Sequence, residues 1–173
     1  VISITDGQIY LESDLFFSGV RPAINVGLSV SRVGGAAQCR AVKKMSGNLR
    51  IEMAQFRELE AFTQFSSDLD KSTQETLDQG RRLLELLKQP LYQPLSVTRQ
   101  AIMLCAAQKR LFADVPVPRT REFLVGLCEY LEDHQPELCR QIGESRDITD
   151  EQVQAIAAAS QEYKKQVRKT WQA

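Results

Sequence analysis

The sequence predicts a mainly α fold: a carboxyl-terminal helical bundle preceded by two or so β-strands. Up to Val30 the apolar residues follow strand-like spacing, and from Ala36 onward they recur about every 3.6 residues. Helix-capping residues and prolines then divide the remaining sequence into helix-sized pieces. At 173 residues the chain is long enough to bury a substantial core.

Two segments are predicted as strands. Val1–Thr5 alternates β-branched residues with Ser3 and is followed by an Asp-Gly turn. Ile24–Val30 combines β-branched residues with small ones, which suits a mostly buried strand with a close neighbour. Between them, Glu12–Ser18 forms either a short helix or a loop.

The rest of the chain is predicted to be helical. The predicted helices are Ala36–Met45, about 48–65, Thr73–Lys88, Ser96–Phe112, one from Pro118 that kinks or stops near Pro136 and ends at Gly143, and a last one capped by Thr149 and Gln152. Asp70 or Ser72 can cap the third of these, and Gly80 weakens it.

Arg32 is the candidate functional residue that its position singles out. It follows the second predicted strand and precedes Gly34 and Gly35, and ligands of open α/β sheets bind at the carboxyl ends of strands. A guanidinium held there can donate two parallel hydrogen bonds to phosphate oxygens. From position alone, a surface charge or a structural ion pair is the commoner role of such an arginine.

Composition and cysteine spacing give no support to several other functions. The chain has 22 basic and 22 acidic residues, which gives no support to nucleic acid as a partner. No apolar run approaches the ~20 residues that span a membrane, so we expect no direct membrane insertion. Cys128, His134 and Cys139 match no usual zinc spacing, so no metal site is predicted and the four cysteines indicate thiols in a reducing compartment.

Three segments resemble the α subunit of the F-type ATP synthase: VISITDGQIYLESDLF at 1–16, PAINVGLSVSRVGGAAQ at 22–38 and LRIEMAQFRELEAFTQFSSDLD at 49–70. The resemblance runs from the first residue to about Gln93 and thins toward the carboxyl end. An SxSR motif alone is also found in flagellar and secretion ATPases, but the three segments in this order are specific. Because the sequence starts on a strand-like run without Met, we interpret it as part of a longer protein.

The resemblance implies two domains. Residues 1–38 would be the incomplete carboxyl-terminal end of a P-loop nucleotide-binding domain, with strands left from its parallel sheet. Residues 39–173 would be the helical carboxyl-terminal domain of the α subunit. Strands separated from a parallel sheet lose their hydrogen-bonding neighbours, so residues 1–31 would pair with each other, pair with another copy, or be disordered.

The resemblance also implies functional residues. Arg32 would act as an arginine finger in the catalytic site of the neighbouring β subunit, and Ser3 would lie near the phosphate end of that site. Phe16, Arg21 and Gln89 would contact the nucleotide in the α subunit's own site. The family has two glutamines two positions apart beside the adenine; Gln89 matches the first, whereas Leu91 stands at the second.

The resemblance further implies cofactors, partners and location. The intact subunit would hold ATP or ADP with Mg, but no GxxxxGK[ST] phosphate loop occurs, so we expect no nucleotide on this fragment and no ATP hydrolysis by it alone. The partners would be β subunits and the γ subunit of the central stalk, which the loop 66–70 would face. The complex would be peripheral on the cytoplasmic face of a bacterial inner membrane, or on the mitochondrial matrix or chloroplast stroma side.

Two other interpretations stay open from the sequence. A flagellar or secretion-type ATPase would be catalytic itself, and the residue after its phosphate loop, upstream of this sequence, would distinguish it. A helical interaction module without enzymatic activity explains the helices but not SVSRVGG at the end of a strand.

Overall fold

The computed structural model describes residues 4–63 and 70–171, with side chains described to residue 168. Ser3 and most of the predicted stalk-facing loop, residues 66–69, lie outside the described residues. The described residues are mainly helical and begin with a two-stranded antiparallel sheet, which confirms the predicted fold class. They form two compact units: the first draws on Val1–Gln38 and Asn48–Pro94, and the second on Cys39–Gly47 and Leu95–Ala173.

The first unit begins with a small antiparallel sheet. Strands β1 (Gly7–Gln8) and β2 (Val30–Ser31) pair with Gly7 opposite Ser31. Pairing within the amino-terminal region was one of the three outcomes that the sequence left open. At Gly7 a Cβ atom would lie 2.0 Å from the carbonyl oxygen of Val30, and φ is +152°, so only glycine allows this approach.

Residues 1–3 of the first predicted strand lie outside the described residues, and the rest of the predicted strand positions were wrong in detail. Ile4 and Thr5 lie in a turn and a bend, and the expected Asp-Gly turn instead starts β1. The middle of Ile24–Val30, residues 26–28, is a turn, because the Asn25 side chain accepts a hydrogen bond from the Leu28 amide and the Asn25 carbonyl accepts one from the Ser29 amide. A local turn of this kind satisfies backbone groups that an isolated strand would leave unpaired.

The helices of the first unit are α1 (Ser13–Phe17), α2 (Gly34–Ala37), α4 (Leu49–Thr63) and α5 (Lys71–Leu87). Of the two predicted caps for α5, Asp70 is the one used, since its carboxylate accepts from the Thr73 amide. The helices α4 and α5 pack together where Phe56 lies against Gly80, at which a Cβ atom would be 2.1 Å from the phenylalanine ring. Gly80 therefore allows a close approach of the two helices.

The second unit contains α3 (Arg40–Ser46), α6 (Val97–Gln108), α7 (Thr120–His134), α8 (Pro136–Ser145) and α9 (Asp150–Trp171), with a 3₁₀ turn at Val117–Arg119. The predicted Ser96 cap and the Thr149–Gln152 capping box are both present. Pro136 separates α7 from α8, as predicted, although α8 continues past Gly143 to Ser145.

The core of the second unit is formed by the apolar faces of these helices and by the turn that follows α6. Its fully buried side chains include Ile102, Phe112, Phe123, Leu124, Leu127, Leu131, Ile142 and Ile156. Two ion pairs link distant parts of this unit. Arg99 on α6 holds Glu132 on α7 through two parallel hydrogen bonds, and the nearly buried Lys164 on α9 binds Asp114 in the turn that follows α6. Neither long-range pair is evident from the local sequence.

Candidate functional site

Arg32 lies on an exposed corner between β2 and α2. Its backbone amide donates to the carbonyl of Asp6 at 2.7 Å, which anchors the corner to the sheet. The Ser31 hydroxyl accepts from the Gly34 amide at 2.8 Å and so orders the start of α2. The Arg32 side chain is exposed, and among the described residues no hydrogen bond or ion pair to its guanidinium is present. A fixed backbone thus carries a cation that is available to an anionic group.

Gly34 makes this corner possible. A Cβ atom at Gly34 would lie 2.8 Å from the Ser31 hydroxyl oxygen, which is closer than real contacts allow. The first glycine of the predicted glycine pair is therefore needed for the turn, whereas Gly35 has open space around it. The predicted partner of Arg32 in the same site, Ser3, lies outside the described residues.

The structure brings together the three residues predicted to contact a nucleotide. The Arg21 guanidinium carbon lies 4.3 Å from the centre of the Phe16 ring, in a cation–π contact. The Gln89 backbone amide donates to the Arg21 carbonyl at 2.9 Å, although the two residues are far apart in sequence. All three side chains are exposed. An aromatic ring, a cation and an amide therefore lie at one surface, which suits the parts of a nucleotide.

The loop after α5 presents Gln89 in a restrained form. Its side-chain amide nitrogen donates to the carbonyl of Gln93 at 2.9 Å, which leaves the amide oxygen as the acceptor for a ligand. Leu91, at the second family position, is 83% exposed and offers no hydrogen bond. The loop turns at Tyr92, which has φ of +59°.

The first unit also contains a polar network that was not predicted from the sequence, formed by Glu12, Asn25 and Arg57. The Asn25 side chain donates to Glu12 and accepts from Arg57, and Asn25 is only 7% exposed. Arg57 is half-buried on α4, and its guanidinium donates to the Asn25 side chain. The signal available in the sequence was a single asparagine within an apolar stretch, because a buried amide needs polar partners.

The cysteines and the single histidine do not form a reactive site. Burial raises the pKa of Cys128 to about 12 and that of Cys105 to about 11, so both are thiols at neutral pH. His134 stacks on Tyr130 with ring centres 4.0 Å apart, and its Nδ1 contacts the Tyr130 carbonyl. Within residues 4–63 and 70–171, no group of side chains suited to a metal ion is found.

None of the helices in the described ranges is both long enough and apolar enough to cross a bilayer.

Comparison with known proteins identifies the family. A sequence model described as "ATP synthase alpha/beta chain, C terminal domain" matches residues 38–163. Proteins named "ATP synthase subunit alpha" are similar to this protein: that of Caldanaerobacter subterraneus subsp. tengcongensis is 53% identical over 164 residues, that of Lawsonia intracellularis 53% over 165, and that of Aquifex aeolicus 52% over 164. Each alignment covers 95% of this chain.

The same alignments cover 32%, 33% and 33% of the three relatives, so the chain spans about a third of the length of the curated relatives it matches. The similarity extends well beyond Gln93, where the resemblance in the sequence thinned. Because the family model matches more than half of its residues, this protein belongs to the family defined by the carboxyl-terminal domain of the ATP synthase alpha and beta chains.

Proposed function

We propose that this chain is part of the regulatory, non-catalytic α subunit of an F-type ATP synthase, in a ring of alternating α and β subunits. There it supports ATP synthesis or hydrolysis coupled to proton transport. Its similarity to ATP synthase α subunits supports this assignment over a flagellar or secretion ATPase. The complex would be peripheral on a membrane, on the cytoplasmic face if the source is bacterial.

The chemical contribution of the chain is Arg32. The observation that carries this proposal is an exposed guanidinium at the end of β2, on a backbone held by Asp6, with no partner among the described residues. Delivered into the β site, such a cation would stabilise negative charge that develops on the transferring phosphoryl group. Ser3 would lie near the phosphate in the same site.

The second role is binding of a regulatory nucleotide. Phe16, Arg21 and Gln89 lie together and would contact ATP or ADP, whose Mg and phosphates the phosphate loop of the intact subunit would hold. Arg21 would approach the nucleotide as a cation, and Gln89 would accept a hydrogen bond from the adenine edge. With Leu91 in place of the second glutamine, adenine would be recognised through fewer hydrogen bonds than in the family pattern.

The third role is mechanical. The helical region would contact the β subunits and, through the loop 66–70, the γ subunit of the rotating central stalk. Asp70 is the last residue of that loop, and its carboxylate caps α5 by accepting a hydrogen bond from the Thr73 amide. Because the loop is joined directly to a capped helix, a displacement of the loop by the stalk would be transmitted to the α4–α5 hairpin.

The arginine finger is tested in the full α subunit assembled with β and γ. Arg32→Ala and Arg32→Lys are compared with Arg140→Ala, whose exposed guanidinium pairs with carboxylates of its own helix. We expect Arg32→Ala to lower steady-state ATP hydrolysis by ~10³ or more while the ring still assembles, since arginine fingers contribute ~10³–10⁵ in rate. Unchanged turnover in the assembled Arg32→Ala enzyme would refute the role, and it would favour the helical interaction module.

A further inference from the structure

The first unit contains a small, partly open cavity that the proposed function does not use. Its volume is about 130 Å³. It lies between the segment 20–26 and the α4–α5 hairpin. The residues that line it are Val20, Pro22, Ile24, Val26, Met53, Arg57, Leu84 and Leu87.

The size and lining of this cavity suit one aromatic ring. Apolar cavities of ~150 Å³ in proteins stay dry and bind benzene, because water there would lack hydrogen-bonding partners. Seven of the eight lining residues are apolar, and Met53 is 2% exposed. An apolar ring would regain the dispersion contacts that the empty space leaves unmade.

Arg57 adds a positive charge to one wall of the cavity. One of its terminal nitrogens donates to the neutral amide oxygen of Asn25. The Asn25 side-chain amide in turn donates to Glu12, so the Glu12 carboxylate is connected to Arg57 through the Asn25 amide. No ion pair of Arg57 with a carboxylate is found in the described ranges. A half-buried guanidinium with spare N–H donors favours a planar anion that can accept two parallel hydrogen bonds.

We propose that this cavity is a binding site for a small aromatic carboxylate. The ring occupies the space between Ile24, Val26 and Leu84, and the carboxylate accepts hydrogen bonds from Arg57. A phosphate ester of the same ring is a poorer fit, because its tetrahedral head is bulkier than the planar carboxylate and the cavity has room for little beyond one ring.

The site is tested on the 173-residue protein with benzoate, by isothermal titration calorimetry and saturation-transfer NMR. Benzyl alcohol keeps the ring and removes the charge, and acetate keeps the carboxylate and removes the ring. Arg57→Gln removes the cation, and Arg81→Gln is its matched control, since Arg81 is 48% exposed beside Asp78 on α5 and does not line the cavity. Val26→Phe fills the cavity, and Val33→Phe makes the same change at an exposed site outside it.

We expect saturable benzoate binding in the millimolar range or tighter, with acetate not binding. Arg57→Gln should weaken benzoate about tenfold or more and leave benzyl alcohol unchanged, because a charge-assisted hydrogen bond is lost. Val26→Phe should abolish binding of both ring compounds, whereas both control variants should bind normally. Circular dichroism confirms that each variant is folded.

Three results would overturn the proposal. Absence of saturable benzoate binding would show that the cavity is not a binding site. Equal binding of acetate and benzoate would show that the ligand only forms an ion pair at the surface. Unchanged benzoate affinity in Arg57→Gln shows that the cation does not hold the ligand. The Arg57→Gln result stands by itself if Val26→Phe fails to fold.

Discussion

The second unit buries its large apolar side chains almost completely, whereas the amino-terminal segment, residues 4–38, leaves many of its own exposed. Leu127 and Phe112 are 0% exposed, but Ile9 and Leu11 are each 72% exposed and Phe17 is 82% exposed. The same residue types thus behave differently in the two regions. Long helices with an apolar stripe bury it against one another. The two-residue strands, the five-residue helix α1 and the loops between them offer too little surface to cover their apolar side chains.

The two regions also differ in how they satisfy polar groups. In the second unit ion pairs join separate helices, as between Arg99 and Glu132. In the amino-terminal segment many polar contacts stay local, such as the Asn25 turn and the Ser31 contact with Gly34. The amino-terminal segment therefore takes its shape from turns and backbone pairing, whereas the second unit takes its shape from side-chain packing.

The largest difference between the two regions is expected when one leucine of each is shortened to alanine. Leu127→Ala should lower the free energy of unfolding by ~2–5 kcal/mol, because it leaves a cavity in a close-packed core. Leu11→Ala should change it by less than ~0.5 kcal/mol, since that side chain is already in solvent. Urea unfolding followed by circular dichroism measures both values. A large effect of Leu11→Ala would mean that the amino-terminal segment is packed in solution and does not differ from the second unit in this respect.

A smaller effect separates two glycines of the first unit. Gly80→Ala should destabilise by ~1–3 kcal/mol, because the new methyl group would overlap the Phe56 ring and force α4 and α5 apart. Gly35→Ala is the matched control: its surroundings are open, so the substitution should be neutral or slightly stabilising. Hydrogen exchange of the α4 and α5 amides locates the change. Equal behaviour of the two variants would rule out close packing at Gly80.

The smallest effect is the acid sensitivity of one ion pair in the second unit. Burial raises the pKa of Asp114, but the hydrogen bond and charge of Lys164 and the charge of Arg168 outweigh burial and hold that pKa below 3.8. A lowered folded-state pKa contributes stability above the unfolded value, and that stability is lost as pH falls through the folded value. Because the Asp114 side chain is 40% exposed, the contribution should stay below ~1 kcal/mol.

This prediction is measured as the change in Tm between about pH 6 and about pH 2, because the stability is lost as pH falls through the lowered folded-state pKa of Asp114. Asp114→Asn should show a smaller loss on acidification than the original protein, since it has no carboxylate to protonate. Asp133→Asn, at an exposed position on α7, should retain the full loss. If Asp114→Asn were as acid-sensitive as the original protein, the pair with Lys164 would not contribute in solution.

The functional residues were found from the sequence to different extents. Resemblance to a family identified Phe16, Arg21 and Gln89, and the structure places them side by side. Their nucleotide contacts and the role of Arg32 stay predictions. The Asn25–Arg57 network and the cavity beside it were not predicted, because they depend on how a turn meets a helix far along the sequence.

The sequence by itself determined the fold class and most of the helices and caps. The predicted helix Ala36–Met45 was wrong in part, because the chain is extended at Gln38 and Cys39 between α2 and α3. The caps can be recognised from the local sequence, because the side chains of Ser96, Thr149 and Gln152 accept hydrogen bonds from backbone amides three residues away. An apolar stripe can be recognised in the same way, because it repeats within a single helix. Three features became evident only in the tertiary structure. These are the residues that pair in the sheet, the close approach of Phe56 that requires glycine at position 80, and the burial of Lys164 against Asp114. These features depend on partners distant in sequence, and their energies arise only once the partners are packed together.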